Sequence, residues 1–225
     1  MSAVPSTMMP EPEAIAWLER HGIACPGCRL AASAAEAARM AGELGYPVVL
    51  KIVSPEIVHK SDVGGVEVGL ASPEEVGAGY VRIMEAVRRN RPEARVEGIL
   101  VCQQASPGVE VIVGGLVDPM FGPALMFGMG GIFAEILNDV TFRVVPITAA
   151  DARAMIREVK GYPLLAGARN RPRCDQEALA DLLVRTSRLM QGSPAVEELD
   201  LNPVRVYAQG VLVLDVKMMR GRAGG

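Results

Sequence analysis

The chain is poor in basic excess, aromatic rings, histidine, cysteine and long apolar runs, and each shortage excludes something. Its 225 residues hold 23 Lys or Arg against 26 Asp or Glu, a net charge of -3. Bulk nucleic-acid binding by phosphate neutralisation is therefore not expected. Aromatic residues make up only 4%, too few rings for a base-stacking platform. No apolar run approaches the roughly 20 residues that span a bilayer. The opening MSAVPSTMMPEPE has neither the basic nor the apolar segment of a signal peptide. A soluble, cytoplasmic protein is expected, with neither nucleic acid nor membrane among its partners. The only histidines are His21 and His59, and no G-x-S-x-G is present, so a Ser-His-Asp hydrolase is excluded. Cys25 and Cys28 form a C-x-x-C without the second pair or the histidines of a structural zinc site. Pro26-Gly27 between them reads as a turn. With Cys102 and Cys174 they are expected to be reduced thiols.

What is present is ordinary globular material, 50% hydrophobic and 22% charged. A chain of this length buries about 70% of its unfolded surface and needs no staples. Residues 1–10 are expected to fray, and Glu11–Arg20 reads as a short helix with Pro12 in its first turn. Ser33–Leu44 reads as a helix, with Ser33 and Glu36 as a capping box and Gly45 past its end. PVVLKIV (47–53) reads as a buried strand. A loop follows over 54–65, then a strand over Val66–Leu70. Ser72–Arg89 is a helix opened by Ser72, Pro73 and Glu75. Beyond it the pattern becomes strand-rich: Arg95–Gln103, Val109–Val117, Pro123–Phe127 and Thr141–Val145, with Gly128–Gly131 as a glycine-rich turn. A capped helix from Thr148 to Lys160, a long polar loop over 161–175 and an amphipathic helix over Gln176–Met190 come next. Val196–Val206 and Gly210–Val216 form a hairpin, and the tail MRGRAGG is expected to be disordered. The sum is an α+β chain of two lobes. It divides into an N-terminal helix and extension (1–25), a first lobe (26–100), a second lobe (101–220) and a disordered tail (221–225).

Five places carry the residue types of chemistry. In the hairpin, alternation puts Glu198, Asp200 and Asn202 on one face. A two-residue turn at Ala208-Gln209 sets Asn202 directly opposite Asp215, whereas a turn at Gln209-Gly210 makes the two diagonal neighbours. Either register gathers Asp200, Asn202 and Asp215 into an oxygen patch suited to Mg²⁺, or into the solvated face of an amphipathic hairpin. Lys51 stands in an otherwise apolar strand. Its ammonium either reaches a phosphate or snorkels to water. In the loop 54–65, Gly64-Gly65 allows an anion close to the backbone, Lys60 adds charge, and His59 is either an exposed nucleophile or a surface histidine. Glu110 opens a strand just past the lobe seam, either as a ribose-hydroxyl acceptor or as an edge carboxylate. GMGGIFAEILND (128–139), with Glu135 and Arg143, suits a phosphate-facing loop, with an Arg143–Asp139 ion pair as the alternative.

These segments, in this order, resemble the ATP-grasp (β) subunit of the ADP-forming acetate–CoA ligase and acyl-CoA synthetase family. The likeness runs from about residue 11 to 220. It is carried by GYPVVLKIVSPEIVHKSDVGGVEVGL (45–70), PGVEVIVGGLVDPMFGPALMFGMGGIFAEILNDVTFRVVPI (107–147), LLAGARNRP (164–172), ELDLNPV (198–204) and LDVK (214–217). ELDLNP also resembles, more distantly, the β subunit of succinyl-CoA synthetase. The resemblance implies an ATP-grasp fold in which two lobes clamp ATP or ADP with Mg²⁺. It implies the reaction acyl-CoA + ADP + phosphate ⇌ organic acid + CoA + ATP, through an acyl phosphate and a phosphohistidine. It implies a CoA-binding α subunit as partner, carrying the principal phosphohistidine, in an α2β2 assembly. By position it makes Lys51 the phosphate-holding lysine, His59 a mobile-loop phosphoryl carrier, 99–104 (Val101, Cys102 and Gln103 at its centre) an adenine hinge contacting the base through backbone groups, and Glu110 the ribose glutamate. It makes Gly130 and Gly131 a phosphate-proximal loop, Arg143 a charge-neutralising catalytic group, and Asn202 and Asp215 magnesium ligands with Asp200 as auxiliary. The hinge reads VCQQ where family members often carry a glutamate. Two other readings remain open at this point: a stand-alone ATP-grasp carboxylate ligase, and a non-catalytic ATP-binding regulatory subunit.

Overall fold

The computed structural model describes residues 7–131, 139–168, 172–193 and 195–221. The chain forms two compact units, Pro10–Glu13 with Pro26–Ser106, and Met1–Met9 with Ala14–Cys25 and Pro107–Gly225. No helix among the described residues is long and apolar enough to cross a membrane.

The first unit is built on a four-stranded antiparallel sheet, β2 (Cys28–Ala31), β3 (Val48–Val53), β4 (Val66–Leu70) and β5 (Gly98–Gln103), in the order β2-β5-β3-β4. Helices α2 (Ala34–Leu44) and α3 (Pro73–Asn90) begin where expected. Ser33 Oγ accepts from Glu36 N–H at 3.2 Å and Ser72 Oγ from Glu75 N–H at 3.2 Å. Both glutamates reach back one residue further than a capping box requires, to the N–H groups of Ala32 and Ala71. Leu50, Ile52, Ile99 and Val101 from the sheet meet Ala37, Ala41, Val76 and Ile83 from the helices in one apolar core. The loop 54–65 contains one turn of 3-10 helix, Ser61–Val63, ended by Gly64 in the left-handed region at φ 69°.

Strand β2 was not expected from the sequence, and it corrects the cysteine reading. Cys28 lies directly opposite Cys102 across β2 and β5, and Gln103 N–H donates to Gly27 O at 2.9 Å beside the pair. That bond makes Cys28–Cys102 a non-hydrogen-bonded antiparallel pair, the kind in which side chains stand closest. The Cα atoms are 4.1 Å apart and the two sulfurs form a disulfide. Cys28 thus pairs across 74 residues rather than sitting reduced beside Cys25. Neither Cys25 nor buried Cys174 is in a disulfide, and burial pushes the Cys174 thiol up.

The second unit holds a seven-stranded antiparallel sheet of β1 (Thr7–Met8), β6 (Val109–Asp118), β7 (Gly122–Met129), β8 (Val140–Val144), β9 (Val196–Val206), β10 (Val211–Val213) and β11 (Val216–Arg220). Its order is β1-β11-β9-β6-β7-β8, with β10 also on β9. Among the described residues its helices are α1 (Glu11–Arg20), whose first three residues count with the other unit, α4 (Ala149–Glu158), α5 (Tyr162–Ala166) and α6 (Gln176–Gly192). Phe127, Leu125, Met155, Leu165, Leu183 and Leu199 are among its fully buried side chains.

Four expectations are corrected here. Thr7 and Met8 do not fray but pair with Arg220 and Met219, because Met9 is buried and its N–H donates to Met218 O at 2.9 Å. The same pairing keeps Met219 and Arg220 of the expected disordered tail in a strand. Gly128 belongs to β7, not a turn, since it pairs with Ile112 and Val140. The loop 161–175 contains α5, closed by Gly167 in the left-handed region and buried through Leu165. Residues 1–6, Glu135, part of the 164–172 motif and the last residues of the tail lie outside the described residues.

Candidate functional site

In the first unit, Lys51 is locked by its backbone between Leu100 of β5 and Val66 of β4. Its side chain is only 12% exposed, and its ammonium donates to Glu11 Oε1 at 2.8 Å. Lys60 Nζ lies 3.0 Å from the other oxygen, Oε2. One carboxylate, itself 5% exposed, therefore joins the strand lysine to the loop lysine beside His59. A carboxylate so buried is tolerable because it is paired. The loop is closed at its base by backbone bonds. Gly65 N–H donates to Lys60 O at 2.7 Å and Ile52 N–H to Gly65 O at 2.8 Å. Gly65 must be glycine there, since a Cβ would meet Ile52 and sit 2.9 Å from Lys60 O. His59 itself is exposed.

The expected hinge falls in β5 and the residue after it. β5 has neighbours on both sides, so Val101 and Cys102 lie inside the sheet. The N–H of Gln103 goes to Gly27 O and that of Gln104 to Pro47 O at 3.0 Å. Gln104 Oε1 also accepts from Gly69 N–H at 2.6 Å. The backbone donors of this stretch are used within the fold. Only Gln103 of the three hinge residues presents an exposed side chain.

In the second unit, the hairpin adopts the first of the two registers considered. Tyr207 N–H donates to Gly210 O at 3.1 Å around the two-residue turn Ala208-Gln209. Val206 then pairs with Val211 and Val204 with Val213, and Asn202 N–H donates to Asp215 O at 3.1 Å. Asn202 and Asp215 are direct neighbours, and Asp200 lies opposite Lys217. At Asn202-Pro203, a cis peptide, the pairing of β9 with β6 slips by one residue between Val204–Val111 and Leu201–Val113. The buried face shifts with it, from Val206 and Val204 to Leu201 and Leu199, and the partner strand shifts in step, from Val213 to Val216 and Met218. Such a bulge re-aims side chains at sheet positions where regular alternation fails. Exposed Asn202 and half-buried Asp215 sit in that kink, with half-buried Asp200 two residues before it. No cluster of three His, Cys, Asp or Glu side chains able to hold a metal occurs among the described residues. Asn202 offers an amide oxygen and Asp215 a carboxylate, oxygen donors of the type that Mg²⁺ takes.

Glu110 lies directly opposite Arg205 of β9. Its Oε1 accepts from Arg205 Nε at 3.2 Å and from the terminal nitrogen at 3.0 Å. Gly130 packs on the same residue. Its N–H donates to Glu110 O at 2.8 Å, and a Cβ would stand 2.9 Å from Glu110 C. Gly131 follows with φ 62°. The structure brings Glu110 and Gly130 together, a proximity the sequence did not reveal.

Arg143 does not pair with Asp139. Its guanidinium bonds Glu158 of α4, Thr141 Oγ1 at 3.1 Å and Phe142 O at 2.8 Å. The Arg143 bond, with a second from Thr141, holds the Glu158 carboxyl below the usual range. Asp139 instead accepts the N–H groups of Lys160 at 2.6 Å and Gly161 at 2.7 Å.

Sequence reasoning missed two partners. Glu11 sits in the first turn of a helix, where an acidic residue is ordinary, so nothing marked it. Arg205 lies at a hairpin position whose cross-sheet neighbour is 95 residues away.

Residues 2–219 match the family model described as an ATP-grasp domain, and the chain belongs to that family. It is 47% identical over 209 residues to ADP-forming acetate–CoA ligase I subunit beta of Pyrococcus furiosus, covering 93% of this chain and 90% of that protein. That relative's designation as a β subunit implies a partner subunit. The fold superposes on acetyl-coenzyme A synthetase 1 of Ca. Korarchaeum cryptofilum in complex with coenzyme A, Ca-AMPCP and HgCl+, with a TM-score of 0.93, 49% identity and coverage of 95% and 93%. A second structure of that synthetase holds coenzyme A and Mg-AMPPCP, with its phosphohistidine segment pointing towards the nucleotide-binding site. It matches with a TM-score of 0.83, 44% identity and the same coverage, 95% and 93%.

Proposed function

We propose that the chain is the nucleotide-binding, phosphoryl-transferring β subunit of an ADP-forming acyl-CoA synthetase. It catalyses acyl-CoA + ADP + phosphate ⇌ carboxylic acid + CoA + ATP together with a CoA-binding α subunit that carries the principal phosphohistidine. The observation that carries this reading is the likeness to a β subunit of an ADP-forming acetate–CoA ligase along 93% of the chain. We assign Lys51 to the nucleotide phosphates, because phosphoryl transfer demands positioning and charge neutralisation more than acid–base chemistry. Asn202 and Asp215, with Asp200 beside them, are the groups that would hold Mg²⁺, which when bound neutralises phosphate charge. Glu110, held by Arg205, is assigned to the ribose, Gly130 and Gly131 to the phosphate-proximal loop, and Gln103 to the base. Arg143 is assigned to fastening α4 against β8 rather than to the nucleotide, because Glu158 already occupies its guanidinium. His59 accepts the γ-phosphoryl group: a P–N bond forms, the P–O bond to ADP breaks, and the imidazole gives up its proton. An α2β2 assembly follows the same reading.

The test incubates the chain with Mg²⁺ and γ-labelled ATP, with and without its α partner, and quenches in alkali. Acid-labile, base-stable label that disappears in His59→Ala is expected. Label on the partner alone would leave the synthetase reading standing and remove His59 as a carrier. Nucleotide binding with no label on either chain would favour a regulatory ATP-binding subunit.

A further inference from the structure

We propose that Glu11 is a positioning residue for nucleotide binding, acting through Lys51 and tying that lysine to the loop that carries His59. The inference rests on the assignment of Lys51 to the nucleotide phosphates. Glu11 opens α1, and its side chain is 5% exposed. An ionised carboxylate in such surroundings is costly unless its charge is met. Here each oxygen meets a different ammonium, Oε1 that of Lys51 at 2.8 Å and Oε2 that of Lys60 at 3.0 Å.

The division of labour between the two oxygens is what suggests a function. Register fixes the Lys51 Cα between Leu100 and Val66, yet leaves four flexible methylenes between backbone and charge. Glu11 selects where that ammonium stands. An ammonium has three donors, so a bond to Glu11 does not by itself prevent the group from gripping an anion. The second oxygen lies in ion-pair reach of Lys60 at 3.0 Å, and the Lys60 carbonyl closes the base of the loop through Gly65. The Glu11 carboxylate pairs with both ammonium groups, which keeps the two from repelling one another apart. A lysine that grips nucleotide phosphates and depends on a carboxylate from a helix is the arrangement of protein kinases. Here the carboxylate comes from the first turn of α1 and binds a second lysine as well.

The experiment measures binding of MgADP by calorimetry to the full chain and to Glu11→Gln, Lys51→Met and the double variant. Amide exchange of residues 57–65 is followed without nucleotide. Glu11→Gln keeps shape and removes charge. It is expected to weaken MgADP about tenfold, equivalent to about 1.4 kcal/mol. The loss is expected to vanish in the Lys51→Met background, because two residues acting through one contact are not additive. Exchange over 57–65 should rise in Glu11→Gln and remain near wild type in Lys51→Met. Glu11→Asp, which keeps the charge, should lose only about threefold. If Lys51→Met binds MgADP normally, the phosphate assignment of Lys51 falls and this inference with it. If Lys51→Met weakens binding but Glu11→Gln binds as wild type, binds more tightly, or adds its full effect to Lys51→Met, Glu11 is a helix anchor or a competitor of phosphate, and the inference alone is overturned. Should Glu11→Gln fail to fold, the cycle is run with Glu11→Asp, where an additive effect again overturns it.

Discussion

Lys51 interrupts a strand that is otherwise apolar, Asn202 stands in one that mixes apolar and polar residues, and the fold accommodates them in different ways. Around Lys51 order comes from side chains. β3 continues regularly through it, and a buried carboxylate from α1 takes up the charge. Around Asn202 order comes from the backbone. The β9 ladder slips by one residue, both paired strands change their buried face together, and the polar side chains are exposed or half-buried rather than enclosed. A lone ammonium in a low-dielectric setting needs a countercharge, so its partner can come from far along the chain. Oxygen donors for a hydrated cation need only a shared direction, which a two-residue turn and a bulge provide locally.

Four measurements break or sharpen this contrast. The largest effect is expected from Lys51→Met. It removes the charge that the first region is organised around, and phosphoryl transfer should fall by roughly 10²–10³-fold, as for loss of one preorganised transition-state donor. Single-turnover label transfer checks it, and a fall of less than tenfold would mean that the Lys51–Glu11 pair is a structural tie. Next comes the disulfide, which braces β2 against β5 in the same unit. Cys28→Ala with Cys102→Ala should cost about 2–4 kcal/mol, read from denaturant midpoints under non-reducing conditions. Peptide mapping of unreduced, alkylated protein should find Cys25 labelled and Cys28 protected. In the other region, Asp215→Asn should raise the Mg²⁺ concentration for half-maximal activity by at least the roughly 10–100-fold that loss of an outer-sphere partner costs. An unchanged Mg²⁺ requirement would return the kink to an ordinary solvated hairpin face.

The smallest effect concerns Asp175, which braces the hairpin turn. Its carboxylate caps α6 by accepting from Ala178 N–H at 2.9 Å and Gly210 N–H at 2.8 Å, and its own N–H donates to Tyr207 O at 2.7 Å. The first two bonds hold the carboxyl below the usual aspartate range. A depressed folded-state value stabilises above the unfolded aspartate value of about 3.9 and is lost as pH falls through the lower folded value. Asp175→Ala should cost about 1 kcal/mol at neutral pH. Its thermal midpoint should also depend less on pH below about 4 than that of wild type.

The helix starts at Ser33, Ser72 and Thr148 were legible because capping is a contract among residues three or four apart. The hairpin register was legible for the same reason: a two-residue turn and strict alternation leave two registers, and both gather Asn202 and Asp215. Strand β2 was not legible. CRLA is short, with Arg29 and Leu30 exposed, and only its pairing with β5 gives it a reason to be extended. For Arg143 the sequence offers a phosphate or nearby Asp139 as partner, but the guanidinium pairs with Glu158 once α4 packs near β8.

By itself, then, the sequence determined most of the elements, the helix caps, a choice of two hairpin alignments and the family, all of which rest on contacts or motifs within a few tens of residues. Only the tertiary structure decided that Lys51 answers to Glu11 across 40 residues, that Cys28 bonds Cys102 across 74, and that Glu110 is held by Arg205 across 95. Local patterns report which face of an element is apolar. They carry no record of which two faces will meet, and the charge and sulfur partners were chosen by that meeting.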